Sequence, residues 1–346
     1  MDVHSLAEFE PLAQAALTPE TWAYFSGGSW DEVTLHDNET AFRRRTLRPR
    51  VLVDVSKIDT ATTLLGAPVA MPFGFAPTAL QGLAHPEGEV VPARVAGRKG
   101  LPYILSTFAS RSLETVAAVG RGLRWFQLYV QTDRRQAERL VHRAAEAGFQ
   151  AIVLTVDLPR PGHRERELRF PLTDEGPFGN VDRGQVGDAY MDFITGTVDA
   201  SLSWRDLAWL RALSPLPLVI KGILTAEDAR LAVDAGAAGV LVSNHGGRQL
   251  DRSPASIDAL EAVVAAVDGR AEVYLDGGVR RGTDIAIALA LGARAVFLGR
   301  PFLYALASGG EAGVRRAVEL LGVELETAMA LLGCPSVASI TRDRVG

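Results

Sequence analysis

Along the chain, short apolar runs rich in β-branched and aromatic residues alternate with longer amphipathic stretches. The runs are MPFGFAP (71–77), PYILST (102–107), WFQLYV (125–130), QAIVLTVD (150–157), PLVIKG (217–222), AGVLVSN (238–244), EVYLDGG (272–278) and AVFLGR (295–300). Between them lie Ala-rich segments such as QAERLVHRAAEAG (136–148) and AEDARLAVDAG (226–236). These place apolar residues at i, i+3 and i+4 and end in glycine, the pattern of a helix that buries one stripe and then stops. Eight strand–helix units predict an α/β fold, a parallel sheet closed into a (β/α)8 TIM barrel. An open doubly wound sheet would need no eighth unit, and no GxGxxG follows the first run.

Two segments stand outside the repeat. Residues 1–65 predict an N-terminal helical segment that caps the barrel, broken by the Gly-rich YFSGGSWDE (24–32). After the fourth run, residues 160–203 are rich in Gly, Pro and charge, as in PLTDEGPFGNVDRGQVGD (171–188). Their weak periodicity predicts a mobile loop over the barrel mouth. Nothing marks a second domain, so residues 1–346 read as one barrel domain.

Composition narrows the function. Hydrophobic residues make up 47% and charged residues 22% of 346, values that suit a large globular core. The net charge of -5, without a basic block, argues against a nucleic-acid footprint and leaves a small-molecule partner. The single Cys334 excludes a disulfide framework and a Cys-based zinc site, and no HxH or HExxH occurs, so no metal is expected. The segment MDVHSLAEFEPLAQ is acidic and amphipathic rather than a secretory leader, no apolar stretch approaches a membrane span, and DRVG is not a peroxisomal address. A soluble, cytoplasmic protein without membrane contact is the expectation. Of 36 basic residues only three are lysines, Lys57, Lys99 and Lys221. Lys221 sits inside an apolar run, an unusual place for a surface charge.

In a barrel, the C-terminal ends of the strands converge on one site. Those ends carry Pro77, Thr78 and Ala79, then Ser106, Gln127 with Tyr129, Thr155 with Asp157, Lys221, Ser243 with His245, Asp276, and Gly299 with Arg300. Any one of them could be a turn residue; polar groups at all eight ends exceed what core packing requires. DGGVRRG (276–282) and GRP (299–301) put glycines and arginines after the last two strands, where backbone N–H groups and a helix N-terminus make a phosphate cradle.

Seven motifs in order, APTALQGLAHPEGE (76–89), LSTFASRS (105–112), QLYV (127–130), LTVDLPRPGHRE (154–165), IKG (220–222), VSNHGGRQLD (242–251) and DGGVRRG (276–282), resemble the FMN-dependent α-hydroxy-acid oxidases and dehydrogenases. The resemblance runs from about Trp22 to Ile340 and implies FMN as cofactor, a 2-hydroxy acid as substrate and, as is common in that family, a homotetramer or octamer. It implies that Pro77, Thr78, Ala79, Ser106, Gln127, Thr155, Lys221 and Ser243 line the flavin ring and ribityl chain. Asp276, Gly277, Gly278, Arg280, Gly299 and Arg300 would hold ribityl and phosphate. His245 would be the base, paired with Asp157; Arg164 and Arg248 would clamp the substrate carboxylate with help from Tyr24 and Tyr129.

These roles agree with the chemistry. Oxidising a 2-hydroxy acid removes a proton and two electrons. Histidine titrates in the range a base needs, and a carboxylate fixes its tautomer. A guanidinium binds a carboxylate as a fork, so Arg248, three residues from His245, fixes the α-carbon relative to the base. A lysine beside the flavin stabilises the negative charge of its reduced form. Phe108 stands where glycolate-oxidase-like members usually carry tryptophan, and Phe25 where they carry tyrosine. Phe108 leaves more room and removes a donor, which favours lactate or an aromatic acid such as mandelate over glycolate. Ala79 stands where a glycine is associated with lactate monooxygenases, and alanine fits an oxidase that releases keto acid and hydrogen peroxide. A dehydrogenase passing electrons to a quinone or cytochrome is the alternative, and a flavin-binding barrel without turnover a more distant one.

Overall fold

The computed structural model describes residues 1–173, 176–182 and 190–346. Eight parallel strands close into a barrel: β1 (Phe73–Phe75), β2 (Tyr103–Leu105), β3 (Arg124–Leu128), β4 (Ala151–Thr155), β5 (Leu218–Ile223), β6 (Gly239–Val242), β7 (Glu272–Asp276) and β8 (Ala295–Leu298). Each lies within, or at most one residue beyond, its expected apolar run. Most are shorter than the runs; Gln127, Thr155, Lys221 and Asp276 stay in the ladder, while Ser106, Ser243 and Gly299 have left it for the loops of the mouth. β8 pairs with β1, so no edge remains.

Helices follow the strands with recognisable start and stop signals. Thr225 caps Ala226–Asp234 by accepting from the Asp228 N–H at 3.2 Å, and Val90–Lys99 ends at Gly100 in the left-handed region. The N-terminal segment is helical as expected, over Phe9–Ala16, Pro19–Ser26 and Val33–Arg43. The first of these packs on the C-terminal helical segment Arg300–Leu332, which kinks at Gly310 (φ 54°), and the third on Ser256–Val267. A hairpin, Thr62–Leu64 paired with Ala67–Val69, was not expected at the end of this segment.

The barrel interior is filled at one end and open at the other. Side chains alternate across each strand, and the inward ones near the N-terminal ends are apolar. Trp125, Tyr274 and Phe297 meet there with ring centroids 5.3–5.9 Å apart. Leu64 and Val69 of the hairpin join this cluster, and the Leu65 N–H donates to Glu272 at the start of β7, so the hairpin plugs that end. One tier further along, the same inward face turns polar.

The described residues of segment 160–203 hold more secondary structure than their composition predicts. Helices Glu165–Arg169 and Tyr190–Thr197 lie within it, and an isolated bridge pairs Gln131 with Val198. Residues 174–175 and 183–189 of the expected mobile loop lie outside the described residues. Among the described residues, no helix is long and apolar enough to cross a membrane.

Candidate active site

The step of two along each strand builds the site. Ile104 leads to Ser106, Trp125 to Gln127 and Tyr129, and Val153 to Thr155 and Asp157; Val219 leads to Lys221, Leu241 to Ser243 and Tyr274 to Asp276. Each pair takes an apolar side chain from the filled tier and a polar one from the tier above. The polar tier is cross-linked. Gln127 donates to Thr155 Oγ1 at 3.0 Å and accepts from the Thr107 N–H at 3.2 Å. Lys221 Nζ donates to Ser243 Oγ at 2.9 Å and lies 3.5 Å from Asp276 Oδ2. A 4% exposed lysine is tolerated here because an acceptor and a carboxylate meet its charge.

All the expected residues except Gln127, Asp157 and Ser243 line one pocket at the C-terminal mouth of the barrel. Those three stand directly behind it, hydrogen-bonded to Thr155, His245 and Lys221 respectively. The pocket therefore gathers residues from all eight strand ends and from the N-terminal helix that carries Tyr24.

His245 occupies the left-handed region, with φ at 59°, and Gly246 and Gly247 continue that turn. A Cβ on Gly247 would lie 2.6 Å from the backbone of Leu35, so only glycine passes under the N-terminal helix. The turn aims the His245 ring inward: Nδ1 lies 2.9 Å from Asp157 Oδ1 and Nε2 3.3 Å from the Tyr129 hydroxyl. Nδ1–H donating to the carboxylate leaves Nε2 able to take a proton. Burial pushes the His245 pKa down despite the opposing pull of Asp157, so the ring is neutral at rest. Burial opposes ionisation of Asp157, yet the His245 ring, by its hydrogen bond and by its charge whenever it is protonated, together with the Lys221 charge, outweighs burial and holds that carboxyl low. The Tyr129 hydroxyl is raised by burial and by Asp157 and stays protonated. At Gly222 the ladder between β5 and β6 shifts register, and a Cβ there would stand 2.7 Å from that of Asp157. This bulge makes room for the carboxylate behind His245.

The arginines are held by backbone carbonyls. Arg248 donates through Nη1 to Tyr24 O and Gly27 O, and Arg300 through Nε and Nη2 to Phe25 O and Gly27 O. These carbonyls belong to the C-terminal end of helix Pro19–Ser26, the negative end of its dipole. The Arg248 guanidinium lies 5.0 Å over the Tyr24 ring. Burial pushes Arg300 down to about 10, and burial with the neighbouring Arg164 pushes Arg248 down. Arg164 Nη1 and Arg248 Nη2 both donate to Glu167 Oε1, at 3.3 and 3.1 Å. Arg280 pairs with Glu39 at 2.8 Å beside the turn of Gly277 and Gly278, whose φ values are 96° and 81°.

Sequence reading placed Phe108 at the pocket but missed the wall around it. Phe108 stacks on Tyr129 at 5.2 Å and meets Phe178 and Phe193 edge-on at 6.3 and 5.7 Å. Tyr190 packs on Phe178, and its hydroxyl accepts from Tyr24 at 3.2 Å. Leu158, Pro161 and Ile194 complete that wall. The eight residues of Tyr190–Thr197 are too few for a helical period to stand out, so no signal separates these side chains from an ordinary loop.

Comparison with known proteins gives a consistent result. The model of the FMN-dependent dehydrogenase family matches residues 13–346. Glycolate oxidase 5 of Oryza sativa subsp. japonica is 49% identical, covering 99% of this chain and 96% of that protein. Glycolate oxidase of Spinacia oleracea is 48% identical, covering 100% and 96%. Among solved structures, mandelate oxidase with (S)-4-hydroxymandelic acid superposes with a TM-score of 0.95 at 44% identity, covering 99% of this chain and 98% of that one. The pocket suits the family's cofactor. Asp276 Oδ1 is buried and has no hydrogen-bond partner among the described residues, an acceptor fit for a polyol chain. The Gly277–Gly278 turn and the start of helix Arg300–Leu332 offer backbone N–H groups and arginine to a phosphate. The chain belongs to the FMN-dependent 2-hydroxy-acid oxidase family, and its cofactor is FMN.

Proposed function

We propose that the protein oxidises an (S)-2-hydroxy acid of medium size or with an aromatic side chain, lactate or mandelate rather than glycolate, and passes the electrons to O2. The balance is R–CHOH–COO⁻ + O2 giving R–CO–COO⁻ + H2O2. The observation that carries the reaction is the convergence of the Asp157–His245 pair, the Tyr129 hydroxyl, the buried Arg164 and the partly buried Arg248 on one pocket. Arg164 and Arg248, with the Tyr24 hydroxyl, hold the substrate carboxylate and so fix the α-carbon. His245 Nε2 takes the proton the substrate loses, and Asp157 stabilises the imidazolium that forms. FMN, when bound, supplies the two-electron acceptor. Pro77, Thr78, Ala79, Ser106, Gln127, Thr155, Ser243 and Lys221 would line its ring and ribityl chain, with Lys221 supplying positive charge. Asp276, Gly277, Gly278, Arg280, Gly299 and Arg300 would hold its ribityl chain and phosphate.

The substrate reading rests on Phe108 and the aromatic side chains around it, which offer ring edges and faces to a side chain larger than hydrogen. An anaerobic screen of glycolate, lactate, mandelate and longer 2-hydroxy acids tests it through bleaching of the flavin absorbance. Lactate or mandelate should reduce the flavin fastest, and a best rate with glycolate refutes the size argument. Phe108→Trp should move the preference toward glycolate. Mixing reduced enzyme with air-saturated buffer tests the acceptor: rapid return of the yellow colour supports an oxidase. Slow return gives the electrons to a quinone or cytochrome instead.

A further inference from the structure

The two arginines assigned to the substrate carboxylate already hold a carboxylate of the protein. Glu167 is 7% exposed, in helix Glu165–Arg169, and its Oε1 is shared by Arg164 Nη1 and Arg248 Nη2. Further contacts pin both guanidiniums from other sides. Arg164 Nε donates to Arg248 O at 3.2 Å and its Nη2 to Gln249 Oε1 at 3.4 Å, while Arg248 Nη1 is taken by Tyr24 O and Gly27 O. Two guanidiniums this close repel one another, and the repulsion is only weakly screened in a buried site. The Glu167 charge offsets it and supports Arg164, whose charge burial alone would disfavour.

We propose that Glu167 is a positioning residue of the carboxylate clamp: an internal anion that fixes the two guanidiniums and tempers their hold on carboxylates. The inference rests on the assignment of Arg164 and Arg248 to the substrate. Its chemical consequence concerns both ends of the turnover. Substrate and product are both carboxylates, so a clamp without an internal anion would bind the 2-keto acid as tightly as the 2-hydroxy acid and release it slowly. A negative charge behind the guanidiniums weakens both complexes while leaving the fork geometry intact.

Glu167→Gln tests this, because the amide keeps an acceptor oxygen in place and removes the charge. The probes are pyruvate and benzoylformate as anions and benzoylformamide as a neutral analogue, titrated against the absorbance of the bound flavin. In Glu167→Gln the keto acids should bind at least about fivefold tighter, and the amide should stay within about twofold of the wild type. KM for the hydroxy acid should fall while kcat does not rise. Glu167→Asp keeps the charge, and its anion-to-amide affinity ratio should stay close to that of the wild type. Unchanged keto-acid affinity in Glu167→Gln, parallel shifts for acid and amide, or the same altered ratio in Glu167→Asp would each overturn the proposal. So would a Glu167→Gln chain that cannot fold or hold FMN, since the carboxylate would then be a structural requirement. A wild-type protein that binds neither keto acid and is bleached by no hydroxy acid would instead sink the underlying functional reading.

Discussion

At the scale of single residues, the site depends on how burial sets protonation. His245 is neutral because desolvation outweighs Asp157, and its proposed function as a base requires the neutral form. The sign follows: protonation at low pH removes the base, and the folded-state pKa lies below the ordinary histidine value of about 6.5. In the free enzyme kcat/KM should therefore rise with pH through a value below about 6.5 and then level off. A pH profile of flavin reduction measures this, and an acid limb centred above that value would contradict the burial argument. His245→Ala should retain FMN, seen as an unchanged yellow absorbance, while reduction by substrate slows roughly 10²–10⁴-fold. Lys221→Met should slow reduction by about tenfold or more, because it removes the buried cation beside the proposed flavin site. An unchanged rate would assign Lys221 to packing with Ser243 and Asp276 alone.

Among the elements, the turns and bulges after the strands place the chemistry. The register shift at Gly222 brings β5 close to Asp157 without contact between side chains. Gly222→Ala places a Cβ against Asp157 in a left-handed backbone position, with φ at 108°. It should cost about 1–3 kcal/mol of stability and lower kcat, since Asp157 would move away from His245. Thermal unfolding and steady-state rates of the purified variant check both effects. The loop-borne helix Tyr190–Thr197 acts at the same scale. Val198, directly after it, bridges Gln131 in the loop that follows β3, so part of the pocket lining is set by a segment outside the strand–helix repeat.

For the whole molecule, stability and chemistry occupy opposite ends of one barrel. In the N-terminal tier, closed by the hairpin, Trp125 and Tyr274 lie below the pocket, and Phe297 forms part of the pocket floor. Trp125→Ala should lose about 3–5 kcal/mol yet leave kcat/KM of the folded protein unchanged, a separation that unfolding curves and initial rates can read together. The proposed FMN site, by contrast, draws on a pocket lined from all eight strand ends. Removal of FMN should lower the melting temperature, and excess FMN at about 100 times Kd should restore about 2.7 kcal/mol. A melting temperature indifferent to FMN would mean that the mouth is preformed and rigid without it.

The sequence by itself determined the barrel and most of the site. Eight apolar runs with helical stretches between them specify alternating strands and helices, since hydrophobic periodicity acts locally. Polar residues at the C-terminal ends of the runs face the mouth because side chains alternate along a strand. Only the tertiary structure decided what depends on distant segments meeting. The hairpin closing the barrel, the carbonyls of residues 24–27 gripping Arg248 and Arg300, and Glu167 between two arginines 84 positions apart leave no local pattern. The aromatic wall of Phe178, Tyr190 and Phe193 is likewise invisible in composition. Burial, which makes those side chains part of a pocket rather than of a loop, is a property of the folded chain alone.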